Sequence, residues 1–212
     1  MSTLFLLSST RFLKDHDLAA IIGRPWPTLR IAHIITAAKG PGVDDLSYLE
    51  RTREIFRQGG AYFEDFDLDG QTPASLRATF PDFNAVFVNG GSTFYLLKSI
   101  RQSGFESVIK ELLTQGFIYM GGSAGTYVAC PTIEMALWRH QDRYDHCSLT
   151  DLTGMNLVPF LMTVHYLPEY RELLQKEIPR AAYPVRILSD KQALLVKDGR
   201  EELIGGPEIR LV

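Results

Sequence analysis

Cysteine is almost missing from this chain of 212 residues. Only Cys130 and Cys147 occur, without the Cys-x-x-Cys spacing of redox or zinc sites, so reduced thiols are expected rather than a structural disulfide. Positive charge is also scarce: 22 Lys and Arg stand against 25 Asp and Glu, a net −3, and they are scattered rather than clustered. Such a chain has no basic field for a phosphate backbone, which argues against a nucleic-acid partner. Long apolar runs are missing too. Leu4 to Leu7 is too short for a signal-peptide core and has no basic residue ahead of it, and no stretch reaches membrane-spanning length. A cytoplasmic protein with no membrane partner is expected. No repeat, low-complexity tract or linker interrupts the chain.

What is present suffices for one core: 45% hydrophobic and 22% charged residues predict a single domain over residues 1–212. Short apolar runs alternate with amphipathic segments, the pattern of a largely parallel sheet covered by helices on both faces. Strands are predicted at Leu4 to Leu7, Ile31 to Thr36, Ala61 to Phe66, Asn84 to Asn89 and Phe117 to Met120. Helices are predicted at Asp17 to Ile22, from about Asp45 to Gln58, and from near Phe94. Phe105, Val108, Ile109, Leu112 and Leu113 mark another at helical spacing, stopped by Gly116. Thr132 to Thr153 is polar and aperiodic and reads as a surface excursion. Beyond it come a strand from Leu157 to Val164, a helix from Glu169 to Glu177, and a strand from Val185 to Leu188. Gln192 to Val196 and Glu202 to Ile204 follow as a hairpin turned at Asp198-Gly199.

Chemistry concentrates where Gly121-Gly122-Ser123-Ala124-Gly125 follows a buried strand and precedes a small-residue helix, Ala124 to Cys130. A Gly-x-Ser-x-Gly turn of this kind lifts a serine hydroxyl above the strand ends, where helix N-terminal amides can receive a developing oxyanion. The competing reading is a serine that only caps the helix. Asn89-Gly90-Gly91-Ser92-Thr93 makes a second strand-to-helix turn, from which Gly90 or Gly91 can offer an N–H to the oxyanion. For the base, His165 follows an apolar run and should share the rim of Ser123. His33 reads as a satisfied core histidine, His16 as a surface residue, and His140 and His146 as solvated in the excursion. These histidines with Cys147 match no usual metal-ligand set.

Several motifs together resemble the peptidase E family of serine peptidases, which includes aspartyl dipeptidases and, more distantly, cyanophycinases. They are Gly90-Gly91-Ser92-Thr93-Phe94-Tyr95-Leu96-Leu97, Gly121 to Gly125, Ala129-Cys130-Pro131-Thr132-Ile133, Gly154 to Phe160 ahead of His165, and Gly205-Gly206-Pro207. The resemblance covers nearly the whole chain. It implies a flavodoxin-like three-layer sandwich related to class I glutamine amidotransferases, with no metal or cofactor. Residue by residue it makes Ser123 the nucleophile, His165 the base, and Gly91 and Ala124 the oxyanion amides. One position departs: where the dipeptidases carry an Asp after the Cys-Pro-Thr-Ile run, this chain has Trp138. The third triad member is therefore open among Asp190, Asp142 and Glu134. Asp190 is preferred, because a strand end is a firmer platform than a long loop and the family has an acidic residue near there.

The expected activity is hydrolysis of amide bonds in short peptides. By analogy with the family, the substrate would be a dipeptide with an acidic N-terminal residue. An esterase or acyl transferase would use the same trio, and a noncatalytic binding protein would keep the fold without it. Trp138 in the long loop is consistent with a homodimer.

Overall fold

Alternation along the central strands explains the layers of the computed structural model, which describes residues 2–138, 147 and 149–211. In β1 (Thr3–Leu7) the side chains of Leu4 and Leu6 enter one buried cluster, while Phe5 and Leu7 enter another on the opposite face. The same division holds in β4 (Ala85–Val88), with Val86 and Val88 on one side and Ala85 and Phe87 on the other. A period of two with both faces apolar requires a cover on each face. Helices α1 (Leu18–Ile22) and α2 (Ser47–Gly59) cover one face. Helices α3 (Pro73–Thr79), α4 (Thr93–Ser103), α5 (Phe105–Thr114) and α6 (Ala124–Val128) cover the other.

Seven strands form the main sheet, including β2 (Arg30–Ile34), β3 (Tyr62–Phe66), β5 (Ile118–Gly122), β8 (Ala193–Lys197) and β9 (Arg200–Ile204), in the order β3-β2-β4-β5-β1-β8-β9. The first five are parallel; β8 runs antiparallel to β1 and pairs with β9 through the Asp198-Gly199 turn. This is the mostly parallel α/β architecture of a flavodoxin-like sandwich. Because β4, β5 and β1 are neighbours, with Val88 beside Gly121 and Leu7 beside Gly122, three chain segments leave the sheet side by side at one carboxyl edge.

Two sequence expectations need correction, and one helix was not foreseen. The run Leu157 to Val164 is a strand only at β6 (Leu161–Thr163), and it lies outside the main sheet, paired in parallel with β7 (Val185–Ile187). The segment from Thr132 to Thr153 is not simply a surface excursion. Among its described residues Ile133, Met135 and Ala136 are fully buried, Cys147 and Leu149 nearly so, and an antiparallel bridge joins Thr132 to Thr153. Its apolar residues lack a regular period, so patterning did not reveal the burial. Helix α3 was not expected; Thr72 caps it in a reciprocal box with Ser75, with Pro73 at the first helical position. Cys130 and Cys147 are both buried free thiols. No helix among the described residues is long and apolar enough to cross a membrane.

Candidate active site

Ser123 sits where β5 turns into α6, with φ +53°, a conformation a non-glycine residue adopts only when its surroundings enforce it. The enforcement is visible. Its N–H donates to the Leu7 carbonyl at 3.1 Å, its carbonyl accepts from the amides of Thr126 and Tyr127, and the Thr126 hydroxyl reaches the carbonyls of Leu7 and Gly121. The two glycines of the motif allow the approach. A Cβ on Gly125 would stand 2.0 Å from the Val88 carbonyl oxygen, and one on Gly121 would stand 2.5 Å from that of Gly125. The Ser123 side chain makes no capping bond to α6. Its Oγ instead lies 2.8 Å from Nε2 of His165.

His165 follows β6 and also has a positive φ, +57°. Its Nδ1 is 2.5 Å from Oδ1 of Asp190, which follows β7. Parallel pairing of Thr163 with Ile187 brings the two side chains to one place, although neither strand belongs to the main sheet. The hydrogen bond from His165 is the main cause holding the Asp190 carboxyl below the ordinary range, against the opposing effect of burial; Ser8 and Arg11 add to it. Arg11 lies 3.8 Å from the other carboxylate oxygen.

Of the other proposed acids, Glu134 makes no hydrogen bond to His165, and burial raises its carboxyl pKa. Asp142, His140 and His146 lie outside the described residues. Trp138, at the position of the family's Asp, is half-buried against the larger core cluster. His16 is half-buried with its ring stacked on Phe12. His33 is fully buried and hydrogen-bonded at both ring nitrogens, to Asp65 and Asn89. Among the described residues no group of three or more His, Cys, Asp or Glu is placed to hold a metal ion.

The oxyanion candidates separate by their hydrogen bonds. The Gly90 N–H is committed to the Asn89 side-chain oxygen at 2.8 Å, whereas those of Gly91 and Ala124 meet no acceptor among the described residues. Gly91 has φ +135°, and a Cβ there would stand 2.3 Å from the Ala37 carbonyl oxygen, so the turn admits only glycine.

Sequence reasoning missed Ser8, at the carboxyl end of β1. Fully buried, its hydroxyl accepts the His165 N–H at 2.7 Å and donates to Asp190 Oδ1 at 3.1 Å. These contacts span 157 and 182 residues, so no local signal marks them. Ser8, His165 and Asp190 are tied to one another before Ser123 is considered.

The cleft around Ser123 has a volume of about 580 Å³. Gly90, Gly91 and Tyr127 line it together with Ser123, His165 and Asp190. Arg11 and Arg51 bring positive charge to its wall, and Asp44 and Asp45 negative charge.

Comparison with known proteins agrees with this architecture. An uncharacterized peptidase of Pasteurella multocida (strain Pm70), PM1590, is 30% identical over 203 residues, covering 93% of this chain and 95% of its own. A protein named Peptidase E from Streptomyces coelicolor is 28% identical, over 100% of this chain and 87% of its own. A crystal structure from Listeria monocytogenes EGD-e, of a protein assigned to Peptidase E, superposes with a TM-score of 0.83 at 22% identity. It covers 98% of this chain and 100% of that one, and so shares the fold. The pattern of Peptidase family S51 matches residues 4–204, and the chain belongs to that family.

Proposed function

We propose that the protein is a serine peptidase of short peptides, with Ser123 as nucleophile, His165 as general base and Asp190 as the residue that orients the base and stabilises its imidazolium. The observation that carries this reading is the unbroken line from Ser123 Oγ to His165 Nε2 at 2.8 Å and from His165 Nδ1 to Asp190 Oδ1 at 2.5 Å. In the first step Oγ attacks the amide carbonyl carbon while its proton passes to Nε2. The Nδ1–H remains on the imidazole, donating to the ionised Asp190, which stabilises the imidazolium. The open amides of Gly91 and Ala124 receive the carbonyl oxygen as it becomes negative. His165 then returns the proton to the leaving amine, and water, activated by the same base, releases the acyl group.

The cleft supports a small charged substrate. Arg11 and Arg51 suit an acidic side chain or a terminal carboxylate, and Asp44 and Asp45 suit a terminal ammonium. The reading is accordingly a dipeptidase with a preference for an acidic N-terminal residue. The name Peptidase E carried by two relatives supports a peptidase reading over an esterase one. Reaction with a fluorophosphonate followed by peptide mapping should place the adduct on Ser123. Ser123→Ala should abolish hydrolysis of Asp-Leu and related dipeptides while leaving circular dichroism unchanged. Retention of more than a few per cent of wild-type turnover would sink the proposal.

A further inference from the structure

Behind the oxyanion turn lies a polar chain that the triad does not use. Arg53, on α2, donates from Nε and Nη2 to Oδ2 of Asp65, on β3, at 3.0 and 2.6 Å. Oδ1 of Asp65 lies 2.7 Å from Nδ1 of His33, the penultimate residue of β2 and fully buried. His33 Nε2 lies 2.8 Å from Nδ2 of Asn89, and Asn89 Oδ1 accepts the Gly90 N–H at 2.8 Å. The Gly90 carbonyl in turn accepts from the Tyr48 hydroxyl at 3.1 Å.

Hydrogen-bond chemistry allows this chain a single arrangement of protons. The Gly90 N–H needs an acceptor, so the Asn89 amide oxygen must face it and the amide nitrogen must face His33 and Thr52. The Thr52 hydroxyl gives its own hydrogen to the Tyr48 carbonyl at 2.8 Å, so it accepts one Asn89 hydrogen at 3.1 Å. The other Asn89 hydrogen goes to His33 Nε2, which therefore carries none. The single imidazole proton is on Nδ1 and is donated to Asp65.

We propose that Asn89 is a positioning residue for the oxyanion turn, and that its hold on Gly90 requires His33 to stay neutral in the Nδ1–H form. A proton on Nε2 would set N–H against NH₂. Turning the Asn89 amide would relieve that conflict, but would take its oxygen away from Gly90. The turn has little slack: a Cβ on Gly90 would stand 3.2 Å from that of Ser123, and the open Gly91 amide is the next one along.

The charged groups facing His33 are Asp65 from β3 and, beyond it, Arg53 from α2. Phe56 and Thr52 of α2, and Phe87 and Asn89 from β4 and the turn after it, are uncharged. Burial outweighs the Asp65 carboxylate and keeps the His33 pKa below its ordinary value, in keeping with a neutral ring at pH 7. The kinetic consequence, though not the hydrogen-bond arrangement, rests on the serine-peptidase reading.

Nitrogen NMR and amide exchange on the labelled full chain test the proposal without relying on activity. At pH 7 the His33 ring should show a protonated Nδ1 and a bare Nε2. Asn89→Ala should speed exchange of the Gly90 amide about tenfold or more, the loss of one buried hydrogen bond, while the Val86 and Met120 amides keep their wild-type protection. It should also lower kcat on the order of a hundredfold, with KM changed less than about threefold. Asn89→Asp keeps an oxygen for Gly90 and sets a second one against His33. It should restore Gly90 protection and bring His33 to the doubly protonated state, a response that a merely space-filling Asn89 would not produce. A protonated Nε2 in the wild type, or Gly90 exchange unaltered in Asn89→Ala, would overturn the inference. Turnover that survived Ser123→Ala would instead refute the peptidase reading and leave these NMR criteria as decisive as before.

Discussion

Replacing Asp190 by Asn separates the charge of this residue from its shape. The carboxylate accepts the His165 Nδ1–H at 2.5 Å and the Ser8 hydroxyl at 3.1 Å, and lies 3.8 Å from Arg11. An amide fills the same volume but presents one oxygen and one nitrogen. If the oxygen keeps facing Nδ1, the bond loses the negative charge that stabilises the imidazolium. If the nitrogen turns toward Nδ1, that atom must accept, the ring proton moves to Nε2, and Nε2 can no longer take the proton of Ser123. The second outcome is the more damaging, and loss of a charged orienting residue is of the order of 10⁴ in kcat. The Asp190 side chain is about a third exposed, so solvent can stabilise part of the imidazolium charge, and a loss near 10³ is expected. KM should move little, because the substitution keeps the shape of Asp190 in the cleft and removes a charge that acts on the base. Steady-state kinetics on one dipeptide at pH 7 would measure this, with Glu134→Gln, Asp142→Asn and His165→Ala in parallel and circular dichroism as the folding control. His165→Ala should be at least as severe, and Glu134→Gln near wild type, since Glu134 makes no bond to His165. If Asp190→Asn kept a tenth of wild-type kcat, or if Asp142→Asn were the crippled variant, the assignment of the acid would be wrong.

Three further outcomes follow from the geometry. Ser8→Ala leaves the partly buried His165 N–H without its acceptor and removes one donor to Asp190. Urea unfolding should show a loss of about 1–3 kcal/mol and kinetics about a tenfold lower kcat; unchanged kcat would show that the triad does not need the bridge. Gly91→Ala places a Cβ against the Ala37 carbonyl at a φ of +135°, so the open amide must move. A fall in kcat of about a hundredfold or more is expected, and near-wild-type turnover would remove Gly91 from the oxyanion site. Finally, the folded-state pKa of His33 lies below its unfolded value of 6.5, so below that pH the unfolded chain binds a proton that the folded chain refuses. This contribution to stability is complete above pH 6.5 and declines as pH falls toward the folded pKa, with a slope approaching about 1.4 kcal/mol per pH unit. Denaturant midpoints of the wild type and His33→Gln between pH 7 and 5 should differ in slope, and parallel curves would refute this account.

The site was legible where chemistry depends on neighbours in the chain. Gly121 to Gly125 after a buried strand marked the turn that carries Ser123, and Gly121 and Gly125 proved to be the places where backbone meets backbone. The apolar runs ahead of His165 and Asp190 placed both residues at strand ends, and the structure brings them into one hydrogen-bonded line with Ser123. The platform differed from the expectation. β6 and β7 make a separate pair in which only three residues of each run are matched, and an apolar run by itself does not tell which sheet it joins. The segment from Thr132 to Thr153 looked exposed because its apolar residues follow no single period, yet Ile133, Met135 and Ala136 are buried in the main cluster.

By itself the sequence determined the alternation of strand and helix, the two Gly-rich turns and the serine between small residues, since each depends on side-chain periodicity or backbone freedom within a few positions. The tertiary structure alone decided the strand order that sets the ends of β4, β5 and β1 side by side. It also decided that, among the described residues, the Gly91 N–H rather than that of Gly90 meets no acceptor, and that Ser8 and Asn89 grip the site from behind. Those choices rest on hydrogen bonds between residues far apart in the chain, and a hydrogen bond is a matter of distance and direction that residue spacing does not encode.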